Sequence, residues 1–106
     1  MKLISRRLRA DADVEAPVDY YAAESQTLAL RFIDSLARAY GQIARNPGIG
    51  SSRYGEALRI VGLRHWRCGE FPHLVFYVER PDDIDVWRVL DGARDLPVSL
   101  RDEDLR

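Results

Sequence analysis

Apolar residues recur every three or four positions over about residues 12 to 24, a spacing that predicts an amphipathic helix. Its apolar face is formed by Val14, Val18, Tyr21 and Ala22. Asp11 or Asp13 is a suitable cap for the first turn. Pro17 removes one intrahelical hydrogen bond and crowds a carbonyl of the preceding turn, so the helix either kinks at this residue or begins near it.

A second, longer helix follows with almost no linker. Ser25 can cap it, and Asn46-Pro47-Gly48 ends it. Its apolar stripe consists of Leu28, Phe32, Leu36, Ala39, Tyr40 and Ile43. At this spacing the stripe, like Tyr20 and Tyr21 on the first helix, is interpreted as core rather than as a cofactor contact. Because the connection is so short, we expect an antiparallel helical hairpin whose apolar face is covered by a sheet.

Strand patterns supply that sheet. A short segment within residues 2–9 begins apolar and becomes basic, which predicts an edge strand whose partner the pattern does not identify. After a glycine-rich loop at 48–52, further strands are predicted at about residues 58–68, 73–79 and 84–90. Turns separate these three, so we expect sequential antiparallel pairing with residues 73–79 in the centre. The predicted class is α+β, a helical hairpin packed on a small antiparallel sheet in the order β-α-α-β-β-β.

The composition is typical of a folded chain, since 46% of the 106 residues are hydrophobic and 31% are charged. We expect a single domain over residues 1–106, with residues 97–106 as a possible short C-terminal tail. The formal net charge of −1 provides no global basic field, so sequence-specific binding to nucleic acid is not expected. Lys2 is the only lysine, and arginine therefore carries nearly all of the positive charge. This excludes a P-loop lysine and favours planar recognition of carboxylates and phosphates.

Several classes of site are not expected. Cys68 is the only cysteine, which excludes an internal disulfide and a cysteine-based zinc site and favours a cytoplasmic location. No apolar run approaches membrane-spanning length, and residues 1–7 do not resemble a secretion signal. His65 and His73 lack a carboxylate at metal-ligand spacing and are interpreted as two partly exposed strand residues. We therefore expect no metal and no cofactor.

The most suggestive polar cluster is Arg64-His65-Trp66-Arg67, to which Arg59 and Arg88 add charge. On a strand, Arg64 and Trp66 share one face while His65 and Arg67 share the other. An arginine beside an indole suits stacking on a nucleotide or capture of an acidic helix, and it also serves simply to cover a sheet edge. The second, structural interpretation is the one we favour from the residues alone.

Five blocks of sequence together resemble the ParE branch of the RelE/ParE superfamily, the toxins of bacterial type II toxin–antitoxin pairs. The blocks are Asp19-Tyr20-Tyr21-Ala22, residues 43–50 (IARNPGIG), Gly62-Leu63-Arg64, residues 71–77 (FPHLVFY) and residues 89–97 (VLDGARDLP). Each block alone is weak, whereas their shared order across nearly the whole chain is specific. The resemblance implies a fold that agrees with the one predicted above.

The resemblance also implies a function. ParE-like proteins are non-enzymatic inhibitors of DNA gyrase that a cognate ParD-like antitoxin neutralises by forming a hetero-oligomer. By this resemblance Arg64, Trp66, Arg88 and Arg94 are candidate contacts with the antitoxin or the target, and the segment after Pro97 is a candidate contact with gyrase. No catalytic residue is expected on this interpretation.

Asp91 departs from the pattern, because many relatives have a histidine at this place in the last block. Two alternatives stay open. A RelE-like ribosome-dependent mRNA interferase would use Arg64, Arg88 and Arg94 for charge stabilisation, with Asp91 or His65 as base. A relative without toxicity would keep only the binding function.

Overall fold

The computed structural model describes residues 1–93. Its elements in chain order are strand β1 (Leu3–Arg6), helices α1 (Leu8–Glu24) and α2 (Gln26–Arg45), a 3-10 turn (Pro47–Ile49), helix α3 (Arg53–Leu58) and strands β2 (Leu63–Arg67), β3 (His73–Glu79) and β4 (Asp83–Asp91). The predicted α+β class and the order of the main elements are confirmed, and α3 is an addition. Arg94 and the tail at 97–106 lie outside the described residues.

The sheet has the order β1-β4-β3-β2. Strands β2, β3 and β4 pair as antiparallel neighbours, as predicted, with a register irregularity at Phe76/Tyr77. Strand β1 lies at the edge and pairs in parallel with β4, from Leu3 opposite Asp83 to Arg6 opposite Val86. The sheet is therefore mixed rather than purely antiparallel. The α1–α2 hairpin connects β1 at one edge of the sheet to β2 at the other, and β2, β3 and β4 then run back until β4 lies beside β1.

The main core lies between the hairpin and one face of the sheet. Helix α2 contributes Phe32, Leu36, Ala39 and Ile43, and the sheet contributes Val75, Tyr77, Ile84, Val86 and Val89. A smaller cluster on the opposite face contains the buried side chains of Leu63 and Phe76, which pack against residues of the α3 region, including Tyr54 and Leu58. Both faces of the sheet are thus covered at its β2 end.

The hairpin differs from the prediction at its start. Helix α1 begins at Leu8 rather than near residue 12, and Pro17 lies inside it. Asp11 and Asp13 are not caps, since Asp11 binds Arg6 and Asp13 binds Arg88. These two carboxylates therefore bind arginine side chains instead of the amides of the first helical turn. The predicted cap of α2 is confirmed, because the Ser25 hydroxyl accepts a hydrogen bond from the Leu28 amide at 3.0 Å.

The segment after α2 contains the second difference. The extended strand predicted at 58–68 is wrong in its first part, where α3 and a turn precede β2. Helix α3 ends at Leu58, and Arg59 caps it in the left-handed conformation, with φ of 57°. Gly55 lies so close to β2 that an added Cβ would meet the Leu63 carbonyl oxygen at 2.4 Å. This close approach is a long-range packing constraint that local propensity does not encode.

The turn between β3 and β4 is tied to β1 by charge. The Arg80 guanidinium and the Ser5 hydroxyl both donate to the Asp83 carboxylate, at 2.6–2.7 Å. These hydrogen bonds, Arg80 first, lower the pKa of Asp83 from its usual 3.8 to about 2. The charged form of this carboxylate therefore stabilises the folded chain.

Acid should remove that stabilisation. A depressed pKa in the folded state contributes stability that is fully present above pH 3.8 and is lost as the pH falls towards 2. We expect the thermal midpoint to fall less steeply between pH 4 and pH 2 in Asp83→Asn than in the parent chain. Asp82→Asn, which alters the neighbouring exposed carboxylate, is the matched control. If the thermal midpoints of Asp83→Asn and of the parent chain fell equally between pH 4 and pH 2, the ionised Asp83 carboxylate would not stabilise the fold.

Candidate partner-binding surface

Arg88, one of the candidate contact residues, is engaged inside the fold. Its guanidinium donates two hydrogen bonds to Asp13 on α1, from Nε at 2.7 Å and from Nη2 at 2.8 Å. The Val89 amide donates to the same carboxylate at 3.0 Å. Only 8% of the Arg88 side chain and 13% of the Asp13 side chain are exposed. The arginine therefore joins the middle of β4 to α1.

Arg64 and Trp66 lie on one face of β2, as the alternation predicts, and both have partners within the chain. Arg64 Nη1 donates to the Gly50 carbonyl at 2.7 Å, and Trp66 Nε1 donates to Gln42 Oε1 on α2 at 2.8 Å. Both residues are half-buried. The polar ends of both side chains therefore serve the fold.

The loop at 46–50 is fixed by a buried hydroxyl. Tyr77 Oη donates to the Pro47 carbonyl at 2.6 Å and accepts from the Gly50 amide at 3.0 Å. Burial raises the pKa of Tyr77, so the hydroxyl keeps its proton for this role. Gly50 has no room for a side chain, since an added Cβ would lie 2.5 Å from the same oxygen. The Tyr77 hydroxyl therefore holds both ends of the loop segment that accepts the hydrogen bond from Arg64.

Tyr77→Phe should lower the free energy of unfolding by about 1–3 kcal/mol, because the Gly50 amide and the Pro47 carbonyl lose a buried partner. Urea denaturation measures the change. Tyr54→Phe is the matched control, since the Tyr54 hydroxyl has no hydrogen bond within the described residues, and it should change stability by less than about 0.5 kcal/mol. Equal effects of the two substitutions would argue against the loop-fixing role.

The histidines differ from each other. His73 is buried, with only 8% exposed, which corrects its interpretation as a partly exposed strand residue. It lies against the rings of Phe32 and Tyr21. His65 is half-buried, and burial together with nearby Arg53 lowers its pKa, so it is neutral at pH 7. Within residues 1–93 no three potential ligand side chains lie close enough together to hold a metal ion.

The described arginines do not converge on Asp91. Arg64 lies opposite Tyr77, whereas Asp91 lies opposite His73, so the two are separated by about 13 Å along the sheet. Arg88 is held by Asp13. Burial raises the pKa of Cys68 to about 12, which leaves its thiol protonated and unreactive at neutral pH. Among the described residues, Arg64 and Arg88 are therefore not brought together at Asp91, and Arg94, the third arginine of the ribonuclease hypothesis, lies outside them.

The hairpin carries an open apolar surface beside its core stripe. Leu30 and Ile33 are 57% and 42% exposed, and the exposed Ala37 lies next along the same line of α2. This line borders a groove of about 270 Å³ between α1 and α2, which we call the hairpin groove. It is lined by Arg6, Asp11, Val14, Ile33, Leu36, Ala37 and Tyr40. Within the described chain, nothing covers these apolar side chains.

The charges that flank the hairpin groove differ between its two sides. Helix α1 presents Glu15 and Asp19 beyond Val14 and Val18. On the α2 side, helical spacing places Asp34 next to Leu30 and Ala37, with Arg38 and Arg45 one row farther out. A helix lying in the groove would thus meet acidic residues on the α1 flank and charges of both signs on the α2 flank.

The two edges of the sheet also differ. The outer side of β2 is closed, because Ser51 exchanges two backbone hydrogen bonds with His65 and Leu63 donates to Ile60. On β1, Arg7 donates to Val86 on β4, so alternation directs the backbone groups of Ile4 and Arg6 away from the sheet. Within residues 1–93, the β1 edge, which adjoins the hairpin groove at Arg6, is therefore the edge available to a further strand.

Comparisons with known proteins agree with this architecture. The family model described as "ParE toxin of type II toxin-antitoxin system, parDE" matches residues 4–96. Among solved structures, the chain is similar to one from P. aeruginosa titled "Chromosomal ParDE TA system", with a TM-score of 0.68 and 18% identity over 84% of this chain and 94% of that one. At this identity the structural likeness concerns the fold alone. No curated protein matches the chain in sequence.

A helical hairpin on a mixed four-stranded sheet makes this a small α+β protein, and within residues 1–93 one sheet edge and an apolar groove are left uncovered. Because the family model spans most of the chain, the chain belongs to the ParE toxin family of type II toxin–antitoxin systems. Among the described residues, no helix is both long and apolar enough to cross a bilayer.

Proposed function

We propose that this chain is the toxin of a type II toxin–antitoxin pair, that a cognate ParD-like antitoxin neutralises it in the cytoplasm, and that its target is DNA gyrase, which it inhibits without chemistry of its own. The observation that carries the proposal is the family match over residues 4–96. The neighbouring solved structure, titled as a ParDE system, supports the antitoxin partner.

The antitoxin would occupy the hairpin groove and the β1 edge. An amphipathic helix would bury its apolar face against Leu30, Ile33 and Ala37. Its basic flank would face the carboxylates of α1, and acidic side chains on its other flank would reach past Asp34 to Arg38 and Arg45. An extended segment of the same antitoxin would add a strand beside β1, where main-chain hydrogen bonding provides affinity with little demand on sequence.

The residues proposed from sequence have different places in this scheme. Arg64 and Trp66 would contact a partner through the exposed parts of their side chains. Arg88 would do so only after leaving Asp13, which makes its contribution indirect. Arg94 lies outside the described residues and stays a proposed contact.

A supercoiling assay tests the target. The antitoxin-free chain is added to purified gyrase and relaxed plasmid, and the proposal predicts lost supercoiling or trapped cleaved DNA. Preincubation with the polypeptide encoded by the neighbouring reading frame should restore supercoiling. Unaffected gyrase together with cleavage of ribosome-bound mRNA would replace the proposal with the RelE-like alternative. Unaffected gyrase, intact mRNA and normal growth would identify a binding protein without toxicity.

A further inference from the structure

A second concave region lies away from the hairpin groove, at the end of the sheet where β3 begins and β4 ends. It has a volume of about 840 Å³ and lies against the middle of α1. Its walls are largely flat and apolar, formed by Tyr20, Tyr21, Pro17 and Pro72. Tyr20 is 68% exposed, which corrects its interpretation as core, and it stands edge-on to Tyr21 with ring centroids 5.4 Å apart. A face of the Tyr20 ring is therefore accessible from solvent at the rim.

Two carboxylates and His73 border this cavity, and Asp13 is neutralised by its bidentate pairing with Arg88. Asp91 accepts one hydrogen bond, from the Ala93 amide at 2.9 Å, and no cation among the described residues pairs with it. Burial raises the pKa of Tyr21, and the charge of Asp91 raises it further, so the field of this carboxylate reaches the aromatic wall. An anionic ligand is disfavoured here.

The combination of one unneutralised carboxylate and an accessible aromatic face specifies a planar cation. A guanidinium can pair with a carboxylate through two parallel N–H donors and can stack on a tyrosine ring, whereas an ammonium is a point charge that is more strongly hydrated. We propose that this cavity receives the side chain of an arginine presented by a partner polypeptide, with Asp91 binding the guanidinium and Tyr20 stacking on it.

The inference goes beyond the toxin's target and its antitoxin, since it concerns a different surface from the hairpin groove. It is tested with the full chain and a small probe rather than with either proposed partner. A negative result for gyrase inhibition would therefore leave this inference standing, and failure of arginine binding would leave the gyrase proposal standing.

The probe is Nα-acetyl-arginine amide, titrated into the ¹⁵N-labelled chain and followed by amide chemical shifts. Saturable shifts are expected at Tyr20, Tyr21 and Ala93. Nα-acetyl-citrulline amide, which has the same shape without the charge, should bind at least about tenfold more weakly, as removal of one charge-assisted pair implies. Equal affinities for the two probes, or no saturable shifts at the cavity, would overturn the proposal.

Two variants locate the binding. Asp91→Asn keeps an oxygen to accept the Ala93 amide but removes the charge, and it should weaken arginine-amide binding about tenfold. Tyr20→Leu keeps the charge, removes the ring of an exposed residue and should weaken binding several-fold. Asp82→Asn, in the exposed turn before β4, is the matched control and should bind like the parent chain. If a cavity variant binds the arginine amide as tightly as the parent chain, and its other amide shifts show that it is folded, the role assigned to that residue is wrong.

Discussion

Asp13→Ala should lower the free energy of unfolding by about 3–5 kcal/mol, which is the usual effect of removing one partner from a buried ion pair. Arg88 would keep its charge while only 8% of its side chain is exposed, and the Val89 amide would lose its acceptor. Folded domains of this size are stable by about 5–15 kcal/mol, so the loss would be a large fraction of the total. Urea denaturation followed by circular dichroism measures it.

Two further variants make that result specific. Asp34→Ala removes an exposed carboxylate from α2 and should change stability by less than about 0.5 kcal/mol. The double variant Asp13→Leu with Arg88→Met removes both buried charges and should recover much of the lost stability, because no unpaired ion remains. A small effect of Asp13→Ala, below about 1 kcal/mol, would show that water reaches the pair and that it does not hold α1 to β4.

Ile33→Glu should weaken the complex with the antitoxin by about 100-fold, because a carboxylate would be buried against the apolar side of the partner helix. The free toxin should keep its stability within about 1 kcal/mol, since Ile33 is already 42% exposed. Isothermal titration with the polypeptide from the neighbouring reading frame measures the affinity. In cells, growth arrest by this variant should persist when that polypeptide is co-expressed.

Val61→Glu is the matched control for the groove variant. Val61 is 96% exposed in the turn before β2, outside the hairpin groove, and the substitution exchanges a β-branched apolar residue for the same carboxylate. It should bind the antitoxin like the parent chain. If both variants lost affinity equally, or if neither lost any, the hairpin groove would not be the binding surface.

Local patterns predicted much of this fold. The β-branched and aromatic run at residues 73–79 gives β3 with the predicted bounds, and the Ser25 cap with its apolar stripe gives α2. In both cases the determining interactions lie within the element or the adjacent turn, so the period of the pattern is sufficient. The short α3 was missed because Gly55 packs on the Leu63 carbonyl and Ser51 pairs with β2, and neither contact has a local signature.

The candidate site was less predictable for a related reason. An arginine in a strand pattern is consistent both with an exposed ligand contact and with an internal structural role, although the pattern favours the second. The deciding partner of Arg88 is Asp13, 75 residues earlier in the chain, and the deciding partner of Trp66 is Gln42 on α2. The exposed line at Leu30, Ile33 and Ala37 has helical spacing, but separating it from the core stripe requires knowing which side of α2 meets the sheet.

The parallel pairing of β1 with β4 sets the order of events during synthesis. Leu3 lies opposite Asp83, so the first strand has no sheet partner until 80 further residues have been translated, which takes about 4–16 s at ordinary ribosome speeds. The α1–α2 hairpin, built from neighbouring segments, can form long before that. The β1 edge therefore becomes part of the sheet only once β4 has been translated, and a shorter nascent chain cannot present the complete surface.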